Sequence, residues 1–304
     1  MNILRIGTLA QRSSPWGTVL SSWSSNVYQK TRGALELEIF FNGQQGDEGS
    51  MVRKLGTEQL AGAVLSAAGL SRIHRPIAAL QMPLFSSWAQ LDAARAAMRP
   101  EFERAAMQAG FEIAGWGDVG LVRLMARGHQ PRVPQDLRGK RAVLGRDDPN
   151  GPALYSTIGQ VSTVSLHPAE VLPSLNVGAV DAFFAPALVA EQFRWADKVD
   201  AVVDHVVGTA IGGIVFATGA FYKLPADLRE TLRDTSMLAA GAMTRLIRRE
   251  DDAAWLRLRD RTTVSTLSAT EETAWNDWAQ AVRSRLSLGT YPPALVTHLE
   301  GFAQ

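Results

Sequence analysis

The sequence contains no cysteine among its 304 residues, which excludes disulfide bonds, thiolate metal sites and cysteine nucleophiles. The sequence also lacks an excess of positive or negative charge, because 31 lysines and arginines nearly balance 30 aspartates and glutamates. Nothing in this balance indicates binding to nucleic acid or to anionic lipid. No run of about 18 apolar residues occurs, so we expect a soluble chain without a membrane-inserted segment.

Motifs that would indicate catalysis are missing as well. The sequence has neither a G-x-S-x-G nucleophile elbow nor a P-loop. Its five histidines are isolated, without the i,i+4 spacing of a metal site: His74, His129, His167, His205 and His298. Adjacent acids at Asp147-Asp148, Asp251-Asp252 and Glu271-Glu272 are interpreted as solvated charges on loops and helix surfaces. We therefore predict no metal, no cofactor and no enzymatic reaction.

One glycine pattern, at Gly115, Gly117 and Gly120, fits the dinucleotide-binding fingerprint G-x-G-x-x-G. That fingerprint requires a helix immediately after its third glycine, because the helix N-terminus receives the pyrophosphate. Here the strand-like run Leu121–Ala126 follows instead, and Gly128 leaves no room for a helix. The pattern therefore predicts a strand, a turn and a second strand, without a dinucleotide site.

What the sequence does contain is an alternation of strand and helix signals. Ile3–Leu9 is strand-like, Ser14-Pro15 starts a helix, and apolar residues alternate with acids over Leu35–Phe41. The length favours two domains. The longest periodic segment, Pro225–Asp260, predicts a helix about 50 Å long, which we interpret as a brace across two α/β lobes.

Most tryptophans lie at helical spacing and are interpreted as core residues. Trp16 is the exception, because it lies in the first turn of the first predicted helix, where strand-to-helix loops of an open α/β sheet meet ligands. Ser66, at the end of the buried strand predicted over Gly62–Ser66, is a further ligand-binding candidate.

Six segments in order resemble the DctP-like substrate-binding proteins of TRAP transporters. They are Leu4–Thr8, Phe41–Gly46, Met82–Phe85, Pro134–Lys140, Ala169–Leu175 and Gly178–Asp181. Each segment alone is a weak signal, but together they cover essentially the whole chain. The resemblance implies a two-lobed periplasmic-binding-protein fold, type II-like, with hinge strands and one long bridging helix.

The same resemblance implies lobe I at residues 1–122 with 209–243 and lobe II at 123–208 with 244–304. Hinge bending is expected near Leu121–Ala126 and Thr209–Phe216, closing a cleft around a small ligand. The expected partners are membrane subunits of a TRAP transporter or an accessory periplasmic subunit. A periplasmic location is implied, with an export signal already removed from this chain.

The departures from the family pattern bear on the ligand. Family members that bind carboxylates carry an arginine where this sequence has Val143, and an asparagine where it has Ala185. A second family arginine aligns with Val122, whereas Arg123 stands one residue later, which in a strand points to the opposite face.

Two interpretations follow, and we favour the first. In the first, Val143, Phe184 and Ala185 line a site for an apolar or neutral ligand. In the second, Arg123, Arg141 or Arg146 replaces the missing arginine and the ligand is an organic acid. An enzyme that uses the same fold, or an interaction protein with an empty cleft, is a less favoured alternative.

Overall fold

Strands and helices alternate along most of the chain in the computed structural model, which describes residues 2–303. The strands of these residues are β1 (Asn2–Thr8), β2 (Leu35–Phe40), β3 (Gly62–Ser66), β4 (Phe111–Ala126), β5 (Arg141–Gly145), β6 (Ser162–Leu166), β7 (Ala182–Pro186), β8 (Ala201–Val203), β9 (Gly208–Ala217) and β10 (Thr263–Ser265). The α-helices are α1 (Pro15–Lys30), α2 (Glu48–Gly56), α3 (Ala67–Ile73), α4 (Trp88–Gln108), α5 (Gly151–Ile158), α6 (Pro168–Asn176), α7 (Ala187–Gln192), α8 (Thr218–Tyr222), α9 (Ala226–Arg259), α10 (Ala269–Leu286) and α11 (Pro293–Glu300). Short 3-10 helices cover Arg75–Gln81, Pro134–Leu137 and Trp195–Lys198.

The chain divides into two compact units. The first unit contains Met1–Ile77, Met98–Val119 and Ile211–Arg249, and the second contains Ala78–Ala97, Gly120–Ala210 and Glu250–Gln304. The lobe boundaries drawn from the sequence differ from these units mainly over 78–97 and 244–249, and the lobe assignment stays a prediction. Strands β4 and β9 and helix α9 each have residues in both units.

The first unit is built on a sheet with the order β2-β1-β3-β9. Its first three strands are parallel, and β9 pairs antiparallel with β3. Helix α1 buries Leu20, Trp23 and Val27, while the Ser14 hydroxyl accepts a hydrogen bond from the Gly17 N–H at 3.1 Å and caps its N-terminus. The strand and helix expected at the start of the chain are therefore present.

The second unit is built on a sheet with the order β4-β7-β5-β6. Strand β4 pairs antiparallel with β7, and β5 pairs parallel with both β7 and β6. Strand β8 also pairs antiparallel with β4, and β10 pairs parallel with β8. The carboxyl ends of β5 and β7 therefore point in the same direction, as expected for an open α/β sheet.

The glycine pattern at Gly115, Gly117 and Gly120 lies within one continuous strand, so the predicted strand–turn–strand is wrong. Gly115 and Gly120 permit close packing instead. A Cβ placed on Gly115 would lie 2.6 Å from the Cβ of Ala240 in α9, a distance at which side chains clash. Because no helix follows the third glycine, the pattern also lacks the geometry of a dinucleotide site.

The long helix predicted over Pro225–Asp260 is present as α9, whose 34 residues span about 51 Å. Helix α4 continues through Pro100, which lies inside it. None of the helices described is both long and apolar enough to cross a membrane.

Candidate ligand-binding site

Three predicted site residues share one face of the sheet in the second unit. Arg123 of β4 lies directly opposite Ala185 of β7. On the other side of β7, Ala142 pairs with Ala182, which places Val143 beside Phe183. Side chains alternate between the faces of a sheet, and directly paired residues point to the same face. Arg123, Ala185 and Val143 therefore lie on a common face, which we call the arginine face.

Arg123 is buried on this face, with only 8% of its surface exposed. Its guanidinium carbon lies 4.3 Å from the ring centroid of Trp255 in α9, a cation–π contact. The buried Nε has no hydrogen-bond partner. Within residues 2–303 the guanidinium forms no hydrogen bond or ion pair. An unpaired buried donor costs about 1–3 kcal/mol, and more when it is charged, so such a group indicates a missing partner.

Asp251 of α9 provides a negative charge near Arg123 without occupying its N–H donors. The two carboxylate oxygens accept hydrogen bonds from the backbone N–H groups of Leu121 and Leu188, at 2.8 and 2.9 Å. Burial lowers the pKa of Arg123, while the charges of Asp251, Asp204 and Asp252 raise it. The guanidinium remains protonated, because arginine does not lose its proton in proteins.

The interpretation of Asp251 as a solvated surface acid is wrong, because only 1% of its surface is exposed. Its neighbour Asp252 is exposed, as expected. A signal for the burial was present in the sequence. Asp251 falls in line with Ile247, Ala254 and Leu258, all buried, at the i, i+4, i+7, i+11 spacing of an apolar helix stripe.

Close packing fixes the backbone around Asp251. A Cβ on Gly120 would lie 2.3 Å from the Cβ of Pro186 and 2.9 Å from the Cγ of Asp251, so only glycine fits there. Asp251 thereby ties Leu121, in the second half of β4, and the first turn of α7 to α9. The side of the site that carries Arg123 is held by three elements rather than by one loop.

Val143 and Ala185 give the arginine face an apolar character. Val143 is half-buried, and its backbone carbonyl accepts a hydrogen bond from the Tyr155 hydroxyl at 2.7 Å. Ala185 is buried beside Arg123. Neither side chain offers a hydrogen-bond donor, so Arg123 is the sole cation contributed by these three positions.

Phe184 is not brought to the arginine face. It lies between two residues of that face and therefore points to the opposite side of the sheet. There it stacks on Trp278 at 5.7 Å between ring centroids and meets Trp275 edge-on at 6.4 Å. Tyr155 also packs on it, at 5.8 Å. Phe184 is half-buried and belongs to an aromatic cluster on this side of the sheet, which we call the aromatic face.

The two other arginines considered as replacements are paired with acids. Arg141 donates two hydrogen bonds to Asp181, at 2.9 and 2.7 Å. Arg146 is exposed and donates to Glu170 at 2.7 Å. Of the three candidates, only Arg123 combines burial with donors that have no partner.

The remaining two candidates, Trp16 and Ser66, belong to the first unit. Trp16 is half-buried in the first turn of α1. The Ser66 hydroxyl donates to Glu48 at 2.7 Å, and the N–H groups of Ser66 and Gly69 donate to the same carboxylate at 2.6 and 2.8 Å. Ser66 is therefore engaged in capping α3. The buried Glu48 was not among the predicted residues, although an acid at the start of a helix is a recognisable signal.

No group of three or more histidine, aspartate or glutamate side chains in the described part of the chain is arranged to hold a metal ion. Among Arg123, Val143 and Ala185, the arginine face offers a single guanidinium beside two apolar side chains. Such an arrangement binds an anion, and a carboxylate fits the planar N–H donors of arginine best.

Solved structures show the same fold over the whole chain. A TRAP periplasmic solute-binding protein from Shewanella oneidensis with bound succinate matches with a TM-score of 0.91 at 15% identity, covering 100% of this chain and 99% of that one. One from Desulfovibrio salexigens with bound orotic acid gives 0.87 at 18% identity, with the same coverage. A Bordetella pertussis extracytoplasmic solute receptor that binds pyroglutamic acid gives 0.89 at 14% identity, again with 100% and 99% covered. The predicted two-lobed α/β fold class is confirmed.

No protein of curated function matches the sequence. Residues 6–287, however, match the DctP family, described as bacterial extracellular solute-binding protein, family 7. Members of this family are solute receptors and not enzymes, which confirms both the resemblance and the expectation of a non-enzymatic protein. The chain therefore belongs to the bacterial extracellular solute-binding proteins of family 7.

Proposed function

We propose that this solute-binding protein captures an organic acid through Arg123 and delivers it to a TRAP-type membrane transporter. The observation that carries the proposal is the state of Arg123, which is buried, positively charged and without a hydrogen-bonded partner. A ligand carboxylate supplies the acceptors that the described residues do not. The similar structures with bound succinate, orotic acid and pyroglutamic acid support the same ligand class.

The proposal selects the second of the two interpretations drawn from the sequence. An apolar or neutral ligand was favoured there because Val143 and Ala185 stand where the family carries polar residues. Such a ligand would leave the guanidinium of Arg123 buried and unpaired. The face that Arg123 shares with Val143 and Ala185 supports it as the counterpart of the family arginine that was aligned with Val122.

The partner and the location follow from family membership. An extracellular solute-binding protein acts outside the cytoplasm, and we propose TRAP membrane subunits, or an accessory periplasmic subunit, as its partner. Trp16 as a ligand contact and ligand-driven closure near Leu121–Ala126 and Thr209–Phe216 stay predictions. If Trp16 contacts the ligand, Trp16→Ala weakens binding without unfolding the protein.

The test begins with the ligand that accompanies the purified protein. Native mass spectrometry followed by denaturing extraction identifies that molecule, and calorimetry then measures its affinity for the ligand-free protein and for Arg123→Gln. We expect a carboxylic acid. We also expect affinity to fall at least about 30-fold in the variant, because removing one partner of a buried charge pair costs about 2 kcal/mol or more.

Arg146→Gln is the matched control, because it removes the same charge from an exposed residue of the same unit. Its affinity should stay within about twofold of the wild type, since exposed ion pairs contribute little. A neutral extracted ligand, or an Arg123→Gln variant that folds and binds normally, would contradict the proposal.

A further inference from the structure

We propose that the ligand is a monocarboxylate with an apolar body and that dicarboxylates are excluded. This inference rests on the proposed function, because it takes Arg123 as the partner of the ligand carboxylate. It narrows the ligand class through the residues that surround Arg123 in the second unit.

The first argument is the number of cations on the arginine face. Arg123 is the one cation among Arg123, Val143 and Ala185, which share the arginine face, since the other two side chains carry no donor. Arg141 and Arg146 are bound to Asp181 and Glu170. A second ligand carboxylate placed against Val143 or Ala185 would lose its water without gaining a charged partner there, which is strongly unfavourable.

The second argument is the charge around Arg123. Asp251 lies close to Arg123, because its carboxylate accepts a hydrogen bond from the backbone N–H of Leu121, two residues earlier on the same strand. The charges of Asp204 and Asp252 also act on the guanidinium, against that of one arginine, Arg259. One ligand carboxylate satisfies Arg123, but a second carboxylate close by would be repelled by these acids. Like charges brought together at a binding site reduce affinity sharply and thereby set specificity.

The third argument is the apolar character of the side chains around Arg123, of which Trp255 and Ala185 are buried. The indole of Trp255 lies against the guanidinium, and Ala185 is its direct cross-strand neighbour. Val143 continues this surface on β5 and is only half-buried. An aliphatic or aromatic body gains affinity on such a surface, whereas hydroxyl groups would find no partner on Val143 or Ala185.

The experiment uses two sets of probes with matched carbon skeletons on the ligand-free, full-length protein. The aliphatic set is pentanoate, glutarate and pentan-1-ol, and the aromatic set is 4-methylphenylacetate, 4-carboxyphenylacetate and 2-(4-methylphenyl)ethanol. Calorimetry gives the Kd of each probe. We expect at least one monocarboxylate to bind, and to bind about tenfold or more tightly than the dicarboxylate of its set.

The outcomes separate the two proposals. Binding of a dicarboxylate as tightly as its monocarboxylate would overturn this inference and leave the organic-acid proposal intact. Binding of an alcohol more tightly than the acid of its set would overturn both proposals. A panel in which no monocarboxylate binds would overturn this inference.

A gain-of-function variant provides a second test. Val143→Arg places a second guanidinium on the arginine face, and we expect it to shift the ratio of dicarboxylate to monocarboxylate affinity by about tenfold toward the dicarboxylate. Val143→Leu is the control for added volume and should leave the ratio unchanged. An unchanged ratio in a folded Val143→Arg variant would contradict the placement of Val143 beside the ligand. If that variant does not fold, the wild-type probe panel decides.

Discussion

The two faces of one sheet in the second unit differ in whether their polar side chains have hydrogen-bond partners. On the aromatic face, Phe184 stacks on Trp278, and Trp275 meets both rings edge-on. The indole N–H of Trp275 donates to the Arg132 carbonyl at 2.8 Å. On the arginine face, Arg123 is equally enclosed, yet its donors have no partner among the described residues. The first face is complete as it stands, whereas the second becomes complete when a ligand supplies an acceptor.

The contrast teaches that burial alone does not distinguish a core from a site. Each face contains buried side chains, Trp275 on the aromatic face and Arg123 on the arginine face. The difference lies in whether each buried polar group has a hydrogen-bond partner. A core stabilises the protein through its contacts, whereas a binding face holds a group in an unfavourable state that the ligand relieves.

The largest effect is expected on the aromatic face. Trp275 is fully buried, so Trp275→Ala should lower the free energy of unfolding by about 3–5 kcal/mol through lost contacts and a cavity. Urea denaturation followed by circular dichroism measures this. Trp275→Phe, which keeps an aromatic ring and loses the indole N–H, should cost clearly less. Equal losses in the two variants would mean that the aromatic packing contributes little.

An effect of opposite sign is expected on the arginine face. Arg123→Met replaces an unpaired buried charge with an apolar side chain of similar length. We expect the free energy of unfolding of the ligand-free protein to stay equal or to rise by about 1–3 kcal/mol, while binding of acids is lost. Urea denaturation and calorimetry on the same preparation measure both. A variant destabilised by more than about 2 kcal/mol would show that Arg123 stabilises the fold, and would contradict the distinction between the two faces.

The smallest effect concerns helix α10, which covers the aromatic face. A hydrogen bond from Arg132, together with those from Ser268, lowers the pKa of Glu271 from 4.5 to about 2. A carboxyl group whose pKa falls on folding stabilises the protein above its unfolded pKa, and this contribution is lost as the pH falls through the folded value. Wild-type protein should therefore lose more stability than Glu271→Gln between about pH 5 and pH 2.

Thermal denaturation across this pH range measures the difference. Glu272→Gln makes the same change of charge at the adjacent exposed residue, and its pH profile should follow the wild type. Parallel profiles for Glu271→Gln and the wild type would mean that the pair of Arg132 and Glu271 does not anchor α10.

Much of the architecture was predictable because it depends on local patterns. The helix predicted over Pro225–Asp260 and the strand over Gly62–Ser66 follow from periodicity and flanking residues, and both are present. The errors arose where distant packing decides. Gly115 was read as part of a turn, although its missing side chain is required by the contact with Ala240, 125 positions away in the chain.

The candidate site was predictable only in part. Family-like segments directed attention to Arg123, Val143 and Ala185, but the face of each residue depended on strand register, where a shift of one position reverses every side chain. Phe184 was included because it adjoins Ala185 in the sequence, and the pleat of β7 turns it to the other face. Asp251 was missed because paired acids on a helix are usually solvated.

The sequence by itself determined the α/β alternation, the long helix and membership in a solute-binding family, since these depend on periodicity and ordered motifs that need no knowledge of long-range contacts. Only the tertiary structure decided that Arg123 is buried without a partner, that both carboxylate oxygens of Asp251 accept hydrogen bonds from backbone N–H groups, and that Phe184 packs against Trp278. The physical reason is that hydrogen-bond satisfaction is a property of neighbours in space, and those neighbours come from strands and helices far apart in the chain.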